Sequence, residues 1–317
     1  MQIERSGILI LMKPKGWTSF DVIAKARGIL STKKVGHSGT LDPMATGVLP
    51  IFMGRATKAV DMQIIKDKEY LACFRLGLNT DTGDITGLEI NRREVGAVCQ
   101  DVIAQLENFK GEIKQLPPMY SAVKVNGQPL YKLARQGVTI ERKERTVTIK
   151  ALELLQGEEQ RAALELMDTQ SLSEHEYVIR VLCTEGTYIR TLVEDIGENL
   201  GCGAVLTALT RTMACGYTLT DTVSIEQLQK ARADETIQEL IAPVDTVFTH
   251  LPRIDLSREL ALRALHGAQS RIAKPDGDYR AYYEDKFYAV AKVTDKIMSI
   301  TKLFVNIEKE NLDAGSL

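Results

Sequence analysis

Cysteine is scarce and unpaired in this sequence: Cys73, Cys99, Cys183, Cys202 and Cys215 are odd in number, scattered, and nowhere in a C-x-x-C pair. Neither a disulfide framework nor a cysteine-built zinc site fits that spacing. Histidine is scarcer still, with four residues and none at metal-ligand spacing, so no metal is expected. Long apolar runs are missing too. No stretch approaches the roughly 20 residues of a membrane-spanning helix, and the opening segment MQIERSGILILMKPKG has too short an apolar core for a secretion signal, which makes the cytoplasm the expected compartment. Internal repeats and low-complexity tracts are absent. The net charge of -2 gives no overall attraction for a polyanion.

What is present is an ordinary globular composition with an uneven charge map. At 317 residues the chain has room for one large domain and a small one. Residues 1–60 hold nine Lys/Arg against three Asp/Glu, and residues 115–150 carry Lys124, Lys132, Arg135, Arg142, Lys143, Arg145 and Lys150 against Glu141 and Glu144. Acid gathers elsewhere, in residues 153–176. Such asymmetry allows a basic groove on a nearly neutral protein, although solvated charged faces are the simpler explanation of the same pattern.

The chain is organised around residues 36–50, GHSGTLDPMATGVLP. Pro43 excludes Asp42 from the helical region, the glycines allow backbone shapes that side chains forbid, and Val48 to Phe52 then run apolar like a buried strand. A rigid polar loop delivered by a core strand is a common place for catalytic groups, but Asp before Pro is also plain turn chemistry. Two sharper motifs fail on spacing: GHSG is not a Gly-x-Ser-x-Gly elbow, and no Gly-Lys-Ser/Thr follows to cradle phosphate.

Local patterns fill in the rest. GILILM predicts a buried strand, and Thr18 with Asp21 predicts a helix cap before Val22, Ile23, Ala26, Ile29 and Leu30 fall on one face. Residues 55–65 suit a short helix. Residues 68–78 alternate, with Tyr70, Ala72, Phe74, Leu76 and Leu78 on one side, which makes Tyr70 a core aromatic on pattern alone. NTDTGDITG reads as a hairpin turn, since Gly83 sits where a calcium loop wants an oxygen ligand. Residues 95–109 predict an amphipathic helix with Val98, Val102, Ile103, Leu106 and Phe109 inward. Residues 138–167 are rich in strand signals, residues 177–183 form a further strand, and residues 187–200 a helix with Arg190 near its start, by default a surface position. Between them, residues 116–137 mix prolines and glycines with Tyr120, Lys124, Tyr131, Lys132 and Arg135. Rings interleaved with cations suit a nucleic-acid surface, and a mobile surface loop equally. After Pro243 and Pro252 comes one helix and three strands in about fifty residues, too little core to stand confidently alone.

Five blocks together resemble the TruB-type tRNA pseudouridine synthases: KPKGWTSFDV, KVGHSGTLDPMATGVLP, the KEYLACFRLGLNTDTGDITG region, PPMYSAVKVNG, and GTYIRTLVEDIG with ALTRT after it. The resemblance covers residues 8–216 strongly and the tail only by position. It implies an α+β fold on a mixed, mostly antiparallel sheet with flanking helices, a catalytic domain at 1–250 with an RNA-clamping insertion at 115–150, and a small PUA-like RNA-binding module at 251–317. It implies isomerisation of uridine to pseudouridine at position 55 of the tRNA T loop, with the target base flipped out. Asp42 would be the catalytic carboxylate, Arg190 its partner, and Tyr70 would stack on the base. His37, Tyr188, Leu209, Lys13 and Asp84 would line or support the substrate site.

The same resemblance implies no cofactor, tRNA as the partner through its T arm, no membrane, no obligate protein partner, and a monomer. Two positions depart from the family pattern, Thr184-Glu185 where Ser-Lys is usual and Thr210-Arg211 where Arg-Arg is common, and these bear on phosphate contacts. A non-catalytic tRNA-binding and folding protein, and a base-excising enzyme, are the alternatives; they differ in whether uridine is left unchanged, removed, or isomerised at constant mass.

Overall fold

A computed structural model describes residues 6–62, 65–125 and 127–305. In chain order the larger, N-terminal part contains β1 (Gly7–Lys13), α1 (Ser19–Leu30), β2 (Val35–His37), β3 (Thr46–Met53), β4 (Lys68–Leu76), β5 (Leu78–Thr80), β6 (Glu89–Arg92), α2 (Cys99–Glu107) and β7 (Gly111–Gln115). It continues through β8 (Lys124–Val125), β9 (Gln128–Pro129), α3 (Leu130–Ala134), β10 (Arg145–Leu154), α4 (Gly157–Leu166), β11 (Glu176–Cys183), α5 (Ile189–Asn199), β12 (Ala204–Ala214), β13 (Tyr217–Thr218) and α6 (Ile225–Ala233). A second group follows: β14 (Arg253–Asp255), α7 (Arg258–Leu265), β15 (Ser270–Arg271), β16 (Gly277–Tyr283), β17 (Lys286–Thr294) and β18 (Ile297–Leu303).

The main sheet runs β1-β3-β12-β4-β11-β10-β7, with β2 on β3 and β13 on β12. Among the described strand pairs one is parallel, joining Thr210 and Arg211 of β12 to Thr46 and Gly47 of β3, and the others are antiparallel. That single parallel crossing matters because β3 starts where the Asp42 loop ends. Gly47, at φ +110°, permits it: a Cβ there would sit 2.2 Å from the Arg211 carbonyl oxygen.

Both faces of the sheet are covered, which is why β1 is apolar at every position from Ile8 to Leu11 rather than alternating. Leu9 and Leu11 pack with Leu49 and Ile51 beneath α1 and α6. Ile8, Ile10, Val48 and Phe52 face the other way and share a cluster with Phe248, Val290 and Phe304 of the C-terminal segment. Further along, Tyr70, Ala72, Phe74 and Leu76 meet α2 and α5, while Leu71, Cys73 and Val178 are covered by Ala163 and Met167 at α4.

Several local expectations hold, and others need correction. Thr18 caps α1 in a full capping box with Asp21. Residues 54–62 form 3-10 turns rather than an α-helix. Val98 and Ile103 are 59% and 42% exposed, not inward, because the helix starts only at Cys99 and its buried face runs through Val102, Leu106 and Phe109. The AALEL run, expected as strand, is the second half of α4: Ala, Leu and Glu favour helix, and Ala163, Leu164 and Met167 reach the sheet. Of the segment expected as an insertion at 115–150, Gln115 ends β7 and residues 145–150 open β10, so the stretch outside the main sheet is 116–144, which leaves from Gln115 and returns at Arg145, its direct partner. The C-terminal strands form a separate five-stranded sheet, β14-β16-β17-β18-β15. Among the described residues no helix is long and apolar enough to cross a membrane.

Candidate active site

Asp42 and Arg190 stand 148 residues apart in the chain and meet as a bidentate pair. Arg190 Nε donates to Asp42 Oδ2 at 2.9 Å and Nη2 to Oδ1 at 3.0 Å. The remaining donors are used as well: Nη1 bonds the Thr82 carbonyl at 2.7 Å and Nη2 the Tyr120 carbonyl at 2.8 Å. One guanidinium, its side chain only 4% exposed, therefore ties the Asp42 loop, the β5–β6 hairpin and the start of the insertion together. The carboxylate keeps a third of its surface open to a cleft of roughly 220 Å³. That cleft is lined by Gly39 to Asp42, Lys68, Tyr70, Ser121, Ala122, Gly186 to Arg190 and Leu209.

The loop around Asp42 is held from below by atoms that the sequence distributes over three elements. Ser19, at the start of α1, accepts from the Leu41 N–H at 2.9 Å and donates to its carbonyl. Lys13, the last residue of β1, is fully buried and directs its ammonium at the carbonyls of Pro43 and Ala45. Burial pushes the Lys13 pKa down to about 8, against the pull of Asp42. From the opposite side Arg211 donates to the Val48 carbonyl at 2.8 Å and the Gly39 carbonyl at 3.2 Å, bracketing both ends of the loop. Lys13 thus supports the site rather than touching the cleft. Arg211, flagged by sequence only as a departure in phosphate contact, is completely buried and structural.

The other expected residues divide. Tyr70, Tyr188 and Leu209 line the cleft together with Asp42 and Arg190. Burial raises the Tyr70 phenol to about 12, so it is a neutral flat ring with a retained proton at physiological pH. His37, ending β2, is half-buried and lies outside the cleft lining; burial lowers its pKa, which leaves the imidazole neutral. Asp84 is buried, and its carboxylate accepts from the Thr86 backbone N–H at 3.0 Å and from the Thr82 and Thr86 hydroxyls. That carboxylate shapes the hairpin whose Thr82 carbonyl receives Arg190, and it does not face the cleft.

Sequence reasoning missed Gln115. This buried amide accepts from the Tyr188 N–H at 3.0 Å and donates to its carbonyl at 3.2 Å, fixing the entry into α5 and with it the direction of Arg190. A lone glutamine at a strand end carries no pattern that would reveal this. Lys68, also in the cleft lining, was likewise absorbed into a strand pattern. Glu185, at one of the departures, pairs with Lys66 at 2.9 Å on the exposed rim.

One turn beyond Arg190, Glu194 has a carboxyl that burial pushes up from 4.5 to about 7, only partly offset by Arg190. The folded state then binds more protons than the unfolded chain between these values, so this group's stabilisation is present below pH about 4.5 and is lost as pH rises to about 7. Glu194→Gln is expected to flatten part of that slope and to be more stable than the parent at pH 8 by about 1–2 kcal/mol. Urea unfolding at pH 5 and pH 8 measures this; an unchanged pH difference would count against it.

With this geometry in view, comparison with known proteins is specific. Residues 27–189 match the TruB family pseudouridylate synthase N-terminal domain, and residues 190–249 the tRNA pseudouridylate synthase B C-terminal domain. The chain is 41% identical over 307 residues to the tRNA pseudouridine synthase B of Clostridium kluyveri, covering 94% of this chain and 99% of that one. It is 42% identical over 308 residues to the protein of the same name from Burkholderia mallei, covering 94% and 97%. Among solved structures, an H/ACA ribonucleoprotein bound to a substrate RNA containing 2'-deoxyuridine aligns with TM-score 0.65 at 22% identity over 95% of this chain and 85% of that one, a likeness of fold. The chain belongs to the TruB family of pseudouridylate synthases.

Proposed function

We propose that this protein isomerises uridine to pseudouridine at position 55 in the T loop of tRNA, acting as a monomer without a cofactor. The observation that carries the reading is the Asp42–Arg190 pair at the wall of a cleft that also presents Tyr70 and Leu209. The reaction breaks the bond between ribose C1' and uracil N1 and forms one between C1' and C5; C5 gives up its proton and N1 gains one, so mass is unchanged. A carboxylate serving as nucleophile or base suffices for that exchange.

A uridine inside a folded T loop is out of reach of Asp42, so it must leave the stack, at a cost of a few kcal/mol. Tyr70 and Leu209 supply an aromatic face and an apolar wall for the everted base, and Tyr188 a second ring at the rim. His37, at the end of β2 just before the Asp42 loop, is assigned to contact the remodelled RNA loop that the base leaves. Arg190 holds the carboxylate in one orientation and balances its charge. The insertion at 115–150, with Lys124, Lys132 and Arg135, clamps the stem, and a PUA-like module at 251–317 extends the RNA-binding surface beyond the catalytic domain at 1–250.

Incubation with an unmodified tRNA transcript tests this. The expected product has unchanged mass and a carbodiimide-reactive base at position 55. Unaltered uridine would favour a tRNA-folding protein, and an abasic site an excising enzyme.

A further inference from the structure

Lys68 opens β4 two residues before Tyr70, so both side chains project from the same face, about 7 Å apart along the strand. Both line the cleft. Lys68 is 9% exposed, and its ammonium makes no hydrogen bond or ion pair among the described residues. Glu185, the closest carboxylate in influence, is engaged by Lys66, and Asp42 by Arg190. Behind Lys68 lies Arg211, fully buried, with Nε and Nη2 on backbone carbonyls, Nη1 on neither, and its guanidinium close to the Tyr70 hydroxyl.

The two cationic heads converge on one spot. A Cβ built on Gly39, which has φ +89°, would lie 3.3 Å from Lys68 Nζ and 3.6 Å from Arg211 Nη1. Glycine leaves that space empty. Two cations this close repel each other, and burial followed by the Arg211 charge pushes the Lys68 pKa down; an anion between them would relieve that repulsion. Uracil is neutral; the fixed negative charge of an RNA nucleotide is its phosphodiester. With the Tyr70 ring against the base, a cation two residues earlier on the same face of β4 is placed toward the backbone side of the nucleotide.

We infer that Lys68, backed by Arg211, seats a phosphodiester flanking the everted uridine and thereby fixes its ribose relative to Asp42. This rests on the proposed function and assigns a substrate-positioning residue to the same cleft. The contact is a charge-assisted hydrogen bond from Lys68 Nζ to a non-bridging phosphate oxygen, with Arg211 acting through space.

The test uses T-arm stem-loop RNAs carrying one uncharged methylphosphonate linkage, either 5' or 3' to the target uridine, with kcat and KM measured separately. For the wild type, one of the two linkages is expected to lower kcat/KM by roughly 10- to 100-fold. Lys68→Gln should show a similar loss on unmodified RNA, be indifferent within about two-fold to that linkage, and be largely rescued as Lys68→Arg. Lys68→Met, better suited to a buried site, serves the same comparison if the glutamine variant folds poorly. If neither linkage slows the wild type, or if the losses from variant and linkage multiply, the inference is overturned. Failure of the wild type to make pseudouridine from unmodified RNA would overturn the functional reading itself and this inference with it.

Discussion

Arg190→Met is expected to lower kcat by about a thousand-fold or more and to reduce the free energy of unfolding by about 2–4 kcal/mol. Both effects have one origin. The guanidinium makes two hydrogen bonds to Asp42 and one each to the carbonyls of Thr82 and Tyr120, and methionine makes none. Asp42, a third exposed, can recover solvation when its partner is lost, so the stability cost falls mainly on the two carbonyls and on the three loops that separate. Catalysis suffers more because a carboxylate free to rotate rarely points at the reacting carbon. Arg190→Lys separates the contributions. A lysine keeps the charge but cannot form a bidentate pair and reach two further carbonyls, so stability should recover partly while kcat stays low by at least about a hundred-fold. Steady-state kinetics with denaturant unfolding on both variants decides this, and near-normal kcat in Arg190→Met would remove Arg190 from the machinery.

The parts of the fold legible in sequence are those set by neighbours in the chain. Thr18 and Asp21 announce the start of α1 because a capping box closes within three residues. The GILILM run announces a strand buried on both faces. The AALEL segment was misleading because short apolar stretches do not distinguish strand from helix, and here α4 makes its contact through Ala163, Leu164 and the following Met167. Val98 misled for another reason: the periodicity runs past the helix start, which is set at Cys99 by the Asp101 carboxylate accepting from the Val98 N–H.

The candidate site was visible mainly through its resemblance to a family, since its pairings are long-range. Nothing near Arg190 signals that it will be buried against a carboxylate 148 residues away. Arg211 shows the same limit more sharply. An arginine in a polar TRT context carries no mark of burial, yet the parallel crossing of β12 against β3 at Gly47 buries it under the Asp42 loop. Asp84, dense among Thr and Gly, suggested RNA contact; its carboxylate instead closes its own turn. Gln115 and Ser19 hold backbone atoms through side-chain amide and hydroxyl groups, contacts that hydrophobic periodicity does not record.

Asp42→Asn is the other large effect, and the more selective one. Asparagine preserves shape and still accepts through Oδ1, so Arg190 retains Thr82, Tyr120 and one bond to residue 42; the loop remains pinned by Lys13, Ser19 and Arg211. The cleft, the Tyr70 ring and the basic insertion are untouched, which predicts tRNA binding within a few-fold of the parent. What disappears is the anionic oxygen needed as nucleophile or base, with an expected loss on the order of ten-thousand-fold in kcat. The decisive measurement is therefore made on Asp42→Asn alone: equilibrium binding of unmodified tRNA alongside pseudouridine formation at position 55 under single-turnover conditions. Near-parental affinity with no detectable pseudouridine is the predicted result, whereas substantial pseudouridine from this variant would contradict the assignment of the chemistry to Asp42.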